Sequence, residues 1–468
     1  MRLLMAAIMA AAFQVTDCYQ NVWSGSVAEV NNPLTREIGI SPAEIEDGDW
    51  KLTFSAQLSS GGENPRLSLR VDAENRGRKR FNVRTDPLIL NGIRTVESYF
   101  SIYDFRPGEK KTDSLAFSGN DLMGLDRIET VSGMIRVEPV TDSSGRTDEV
   151  IPFTLALTDC DVSAFAPEMP EALAETTENG LTWKLLSLEE KNDGGLTGTV
   201  YVRNDTETGL AQSFQVAVND VRAESSLGVR AAPGTSCITR LTYQNLSEVS
   251  SYDLTIDQSE KLYVMGVQQA LQGAGWQQVE RVSLWPDDII PGGDKAAATL
   301  ELDQPRPLSP AERQPECVPV LTGGVEAKLE SVLIGDDALA LGLRVHNHLD
   351  RSVRLQPGGA RINDIPVTGD QRFTDYWAVL PPRMDAVLCA VLETEENFTP
   401  GDAVNTLSLF FDADNYRSSP VQISFPEGTR IGAEGGTYLY ADDLTVNAGF
   451  LDTSVPYVIA DRISFRGE

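Results

Sequence analysis

An all-β chain of three tandem antiparallel β-sandwich domains is what this sequence predicts, on three observations. One alternation of apolar and polar residues running into an asparagine occurs three times, as RLSLRVDAEN, GLTGTVYVRN and LALGLRVHN. A second asparagine follows each of them fifteen or sixteen residues later, in LNGI, VNDV and INDI, and a proline-containing turn comes after that. Convincing amphipathic helix patterns are scarce in all 468 residues.

The alternation is a strand signal because successive side chains on a strand face opposite sides. Counting back from Asn75, the inward set is Ala73, Val71, Leu69 and Leu67. From Asn204 it is Val202, Val200, Gly198 and Leu196, and from Asn347 it is Val345, Leu343, Leu341 and Leu339. The outward set of the first stretch (Ser68, Arg70, Asp72, Glu74) is polar. A slip of one residue would turn each set inside out, so register is well specified.

Asn91, Asn219 and Asn363 read as hairpin tips. Asn-Gly or Asn-Asp between apolar residues tolerates the positive φ that two-residue hairpins demand. The turns at Pro107-Gly108, Pro233-Gly234 and Pro381-Pro382 then lead into the apolar runs SLAF, ITRLTY and AVLCAVL. Upstream, WKL at Trp50, WKL at Trp183 and AKL at Ala327 extend the match. The best short helix candidates are residues 171–178 and 267–271.

The occurrences lie more than a hundred residues apart. Solenoid repeats run about 20–50 residues, so each occurrence is expected to carry its own core. The predicted sandwiches span 36–163, 181–303 and 325–468, the last with extra C-terminal strands (TYLYADDLTV, YVIADRISF). The predicted joints are the acidic, proline-bearing residues 164–180 and the proline-rich residues 303–324. A proline spacer is semi-rigid and is not expected to join a sheet ladder.

Residues 1–17 contain a single Arg2 before an apolar run with small residues, which reads as a cleaved signal peptide or a truncated membrane anchor. The run is shorter than the roughly 20 apolar residues of a membrane-spanning helix. Cys18 would carry the lipid of a lipoprotein, although Asp17 stands where a small residue is expected. A net charge of −30 disfavours nucleic acid and anionic lipid surfaces as partners. Acidic loops such as Asp412-Ala413-Asp414-Asn415 and Asp442-Asp443 could offer oxygen ligands to calcium, but no complete calcium-loop pattern occurs. No cofactor is expected. The five cysteines lack any C-x-x-C and read as isolated buried thiols, with a Cys160–Cys317 bridge the one pairing considered.

Two histidines, His346 and His348, share the outward face of their strand. The sequence specifies no carboxylate partner, so they read as a solvent-exposed pair and no metal site is expected. There is no G-x-S-x-G elbow, H-E-x-x-H helix, P-loop or G-x-G-x-x-G fingerprint, and the chain is not expected to be an enzyme. Trp50 and Trp183 read as packing residues. Aromatic residues crowd YFSIYDF and FTDYWAVL, where the second copy has SLGVRAA. Tyr99, Tyr103, Phe373, Tyr376 and Trp377 are therefore the candidate ligand-binding residues. Filling the core is the competing role for the same aromatics.

This sequence of alternating strand into asparagine, N-[GD]-[IV] turn, proline turn and apolar strand resembles tandem immunoglobulin-like β-sandwich modules. Such modules occur in uncharacterised exported proteins of Gram-positive, gut-type bacteria. The resemblance covers about Trp50 to Phe425; Ala327 in place of the tryptophan and Pro382-Arg383 in place of Pro-Gly are departures in the third copy. It implies an extracytoplasmic unit for ligand binding, adhesion or sensing. The expectation is a non-catalytic binding or scaffolding protein, secreted or held at the cell surface, with a protein or glycan ligand. Two alternatives stand beside it: the outer sensor portion of a membrane-anchored regulator of the anti-sigma type, and a carbohydrate-binding accessory protein.

Overall fold

The computed structural model describes residues 35–60, 65–96, 98–140, 149–190, 195–223, 225–243, 277–286, 296–308, 316–335, 338–373, 379–394, 397–432 and 437–453. Residues 1–17, Cys18, the 267–271 helix candidate, Tyr376 and Trp377 lie outside them. Among the described residues every regular element is a strand, apart from the three-residue 3-10 turns Gly119–Asp121 and Ala441–Asp443. Strand pairing is mostly antiparallel. The chain divides into two compact units.

The first unit comprises residues 1–169 with 207–209 and 230–238. One of its layers sets Thr35–Ser41 and Glu44–Asp47 against Trp50–Ser59, followed by Arg66–Asn75 and Lys110–Phe117. The other runs from Glu149–Thr158 through Thr130–Pro139 to Phe81–Thr85 and Leu88–Leu90. Thr35–Ser41 crosses between the layers, Ile38 pairing with Ala56 while Gly39 pairs with Thr158. A β-carbon on Gly39 would meet the Thr158 hydroxyl, so a larger residue at the crossing would require that exposed side chain to rotate away. Leu67, Leu69 and Val71 from one layer and Val83, Val131 and Leu155 from the other share a single core. Across it Phe54 stacks on Phe153 at 5.8 Å.

The second unit comprises residues 170–206, 210–229 and 239–468. Leu181–Glu190 lies between Ala174–Glu178 and Leu196–Asn204, and Gln278–Pro286 between Leu210–Val218 and Ala298–Pro307. Val325–Ile334, Ala338–Asn347 and Asp385–Glu393 run side by side. They share a core with Val353–Ile362, Thr406–Ala413 and Val421–Ser424. The C-terminal chain folds back onto these strands. Thr437–Tyr440 pairs with Ser331–Ile334, Thr445–Asn447 joins Val421–Ser424, and Gly449–Leu451 runs parallel to Leu321–Gly323.

All three asparagine-ended stretches are strands, and Val71, Val202 and Val345 are buried with the rest of their inward sets. The third differs in burying its other face as well. Ala338 and Ala340 pack with Leu333, Cys389 and Val391, against a partly buried Tyr438.

Three expectations are corrected. Residues 171–178 are not helical: Ala174–Glu178 is a strand, turned back by Asn179 and Gly180 at φ 52° and 78°. That glycine turn and the β-branched Thr176 and Thr177 favour a hairpin over a helix. The proline-rich joint enters the ladder on both sides, Pro305 and Pro307 within Ala298–Pro307 and Pro319 within Val318–Gly323. Proline is tolerated where a strand position donates no ladder bond, and these are strand ends. The WKL match is out of register: Trp183 and Ala327 lie opposite Val202 and Val345, but Trp50 lies opposite Asn75 itself. Hairpin geometry sets register, and a shared tripeptide does not. The cysteines agree with the reading of isolated thiols: Cys160, Cys237, Cys317 and Cys389 are free, and Cys160 and Cys317 form no bridge.

Two short parallel ladders follow the hairpin tips. Within the first unit Ser236 and Cys237 lie beside Arg94 and Thr95. Within the second, Val221 and Arg222 lie beside Asp385 and Ala386, and the buried Arg222 guanidinium donates to the Val379 carbonyl. The matching pair in the third stretch, Ile365–Pro366, is exposed.

Candidate functional site

The recurrent asparagines are built into the fold. Asn75, Asn204 and Asn347 are each fully buried at a strand end. The Asn75 Oδ1 accepts from the Gly77 amide at 2.9 Å, while Nδ2 donates to the carbonyls of Lys79 (3.0 Å) and Phe105 (2.8 Å). Asn347 repeats this with the Leu349 amide and the carbonyls of Arg351, Leu380 and Pro381, and Asn204 accepts from the Thr206 amide at 3.0 Å. A primary amide suits the position because it offers donors and an acceptor without charge. Each bond set ties the strand end to the chain just before the proline turn or to the loop that follows.

The second set is more uniform still. Asn91, Asn219 and Asn363 have φ of 53°, 49° and 49°, and the residues after them are also left-handed. Each side chain also reaches a third strand. Asn91 Nδ2 donates to the Arg127 carbonyl and Oδ1 accepts from the Glu129 and Thr130 amides. Asn219 makes the same bonds to Gln278, Glu280 and Arg281, and Asn363 to Ala403, Asn405 and Thr406. The hairpin reading of these residues is legible in the sequence; this cross-strand clamp is not.

The candidate aromatics separate into core and surface. Phe100 and Phe105 are buried, and Phe373 is buried opposite Ala390, which removes it from any ligand surface. Its apolar side chain fills the core of the second unit. Tyr99 and Tyr103 are 56% and 61% exposed. Tyr103 sits in a β-bulge: Phe81 pairs with Phe105 and Val83 with Ile102, leaving Tyr103 and Asp104 opposite Asn82 alone. Bulges re-aim side chains and are frequent beside functional sites.

Several groups hold this bulge. Asp104 has φ 50°, a conformation uncommon outside glycine. Its amide donates to Asn82 Oδ1 at 2.9 Å, and its carboxylate pairs with Arg80 and, at 3.4 Å, with Arg106. Arg80 above all holds the Asp104 carboxyl below its usual range. Lys111 Nζ donates to the Tyr103 carbonyl at 2.8 Å. The Tyr103 ring is therefore displayed to solvent from a backbone pinned by Asn82, Arg80 and Lys111. None of these three pinning residues stands out in the sequence. Tyrosine on a rigid support supplies amphipathic contact area at a small entropy cost.

The acidic loop at Asp412–Asp414 is already neutralised. Asp412 takes both its bonds from Arg417 at 2.6 and 2.7 Å, while Asp414 pairs with Arg351 and accepts from the Arg354 amide. Its carboxylates are therefore committed to protein cations, which leaves the calcium reading without ligands there. In the second unit Glu330 is the residue skipped by a register shift between Leu329 and Ser331. It is buried against Arg344, with the Cys317 Sγ 3.7 Å away. Burial pushes its carboxyl up to about 7, more than the guanidinium draws it down. The Cys317 thiol is pushed up to about 11, again chiefly by burial, which is the opposite of an activated nucleophile.

The histidines do have partners. His346 Nδ1 is 2.8 Å from Asp385 Oδ1, and His348 Nε2 is 3.3 Å from Glu326 Oε2. No protein-family model and no curated protein matches the chain.

Proposed function

We propose that this is a non-catalytic extracytoplasmic binding or scaffolding protein made of three tandem immunoglobulin-like β-sandwich modules, its partner a protein or a glycan. The repetition of both asparagine bond sets supports the triplication. The observation that carries the binding role is the pinned bulge at Tyr103 and Asp104, with a second exposed phenol, Tyr99, just before that strand. An isolated exposed tyrosine needs no explanation; one displayed by a left-handed aspartate under three side-chain restraints does.

A panel of neutral and acidic oligosaccharides and immobilised extracellular proteins tests the reading directly. A binder is expected whose affinity drops at least tenfold in the Tyr99→Ala/Tyr103→Ala double variant. Equal binding by the variant, or catalytic turnover of a panel member, would overturn it. Mass spectrometry of the natively produced protein tests the export part, since a cleaved or lipidated start is expected.

A further inference from the structure

We propose that His346 and His348 form a surface site for a borderline divalent transition-metal ion of the copper, nickel and zinc class, the two imidazoles being its protein ligands. They are the only histidines in the chain. Both sit at the end of the Ala338–Asn347 strand and just beyond it, two residues apart and so on one face. Their ring centroids are 4.4 Å apart at an interplanar angle of 58°. This is close approach between two side chains that have no apolar reason to meet.

The carboxylates decide the chemistry. Glu326 and Asp385 are the residues directly across from His346 on the two flanking strands. Asp385 engages Nδ1 of His346, and Glu326 engages Nε2 of His348. A carboxylate at one nitrogen of each ring orients that ring and leaves its other nitrogen as the one that can face an ion. Of the two carboxylates, Glu326 also pairs with Lys328 at 2.9 Å. Nε2 of His346 and Nδ1 of His348 are the nitrogens not engaged by these carboxylates. That is the outer-shell arrangement that fixes ring orientation and raises ligand basicity at metal sites. The side chains are 33% and 43% exposed, so both rings are open to an ion from solvent.

Imidazole selects copper, nickel and zinc, whereas calcium and magnesium seek oxygen. Among the described residues no three His, Cys, Asp or Glu side chains gather to hold a metal. The site therefore has two protein ligands, with water completing the coordination, and binds more weakly than a closed structural site. Asp385 is also the residue beside which Val221 runs in parallel. An occupied site would stiffen the end of that ladder.

Calorimetric titration of the full chain with copper(II) or nickel(II) alone tests the proposal, together with electron paramagnetic resonance of the copper form. One ion per chain is expected, with nitrogen couplings from two imidazoles. His346→Ala and His348→Ala should each weaken binding at least tenfold. Asp385→Asn should weaken it by about 10-fold, the lower end of what loss of an outer-shell partner costs. Calcium should show no histidine-dependent binding. Binding that survives both histidine substitutions, or no saturable 1:1 binding, overturns the site. Should a variant fail to fold, the wild-type copper spectrum still decides: absence of two-nitrogen coupling overturns it.

Discussion

Replacing Asn219 separates the two jobs a hairpin-tip asparagine performs. The residue is 2% exposed with φ 49°. Its Nδ2 donates to the Gln278 carbonyl at 2.8 Å, and its Oδ1 accepts from the Glu280 and Arg281 amides at 2.8 and 3.1 Å. Asn219→Gly keeps the left-handed backbone at ease and deletes all three bonds. At about 1 kcal/mol net per hydrogen bond the expected loss is about 3 kcal/mol. Asn219→Ala deletes the same bonds and also forces a β-carbon into the left-handed region, about 1 kcal/mol more. Urea unfolding measures the difference, and hydrogen exchange locates it, because the Glu280 and Arg281 amides should lose protection in both variants. The same substitution at Asn91, two of whose three bonds are solvent-exposed, should cost less because water replaces them. A glycine variant within about 0.5 kcal/mol of the wild type, the scale of an ordinary surface change, would refute the clamp.

Other outcomes follow from the same contacts. Because Tyr99 and Tyr103 are exposed, their double alanine variant should unfold within about 1 kcal/mol of the wild type while losing ligand, so that lost binding and lost folding are distinguishable. The buried Glu330 carboxyl, raised from 4.5 to about 7, keeps a proton in the folded chain that the unfolded chain gives up. Stability should therefore fall as pH rises from roughly 4.5 to 7 and level off above, by a few kcal/mol at most, and Glu330→Gln should flatten that slope in pH-dependent denaturation. Cys160 and Cys317, both with thiols pushed up to about 11 by burial, should resist iodoacetamide at pH 8 until denaturant is added. Fast native labelling of either, read by peptide mass spectrometry, would contradict that burial.

Much of the strand architecture is legible in the chain because alternation is a one-dimensional code. Leu67 to Ala73 and Leu339 to Val345 declare their buried faces without knowledge of any neighbour. The hairpin tips are legible for the same reason, since asparagine at positive φ is a local preference. What depends on a distant partner is not. Nothing near Asn219 announces that its amide grips Gln278, and nothing in VHNHLD announces that Asp385 arrives from another strand. The bulge at Asp104 is invisible for a related reason: it is created by the length mismatch with Asn82 across the ladder, and YFSIYDF reads simply as aromatic. The prolines at 305 and 307 mislead because composition reports a tendency, while Pro307 needs only a ladder position that asks for no hydrogen.

In two places the third residue past a hairpin-tip asparagine is an arginine, Arg94 and Arg222, and there the chain gains a parallel neighbour. At the corresponding place stands Pro366, with no amide hydrogen, next to Ile365 at 49% exposure. Proline is one of the residues that keep open strands from recruiting others. The edge at Ile365 and Pro366 thus lacks one backbone donor that the edges at Arg94 and Arg222 have, and exchanging that imino acid for an ordinary residue would make it stickier toward other strands.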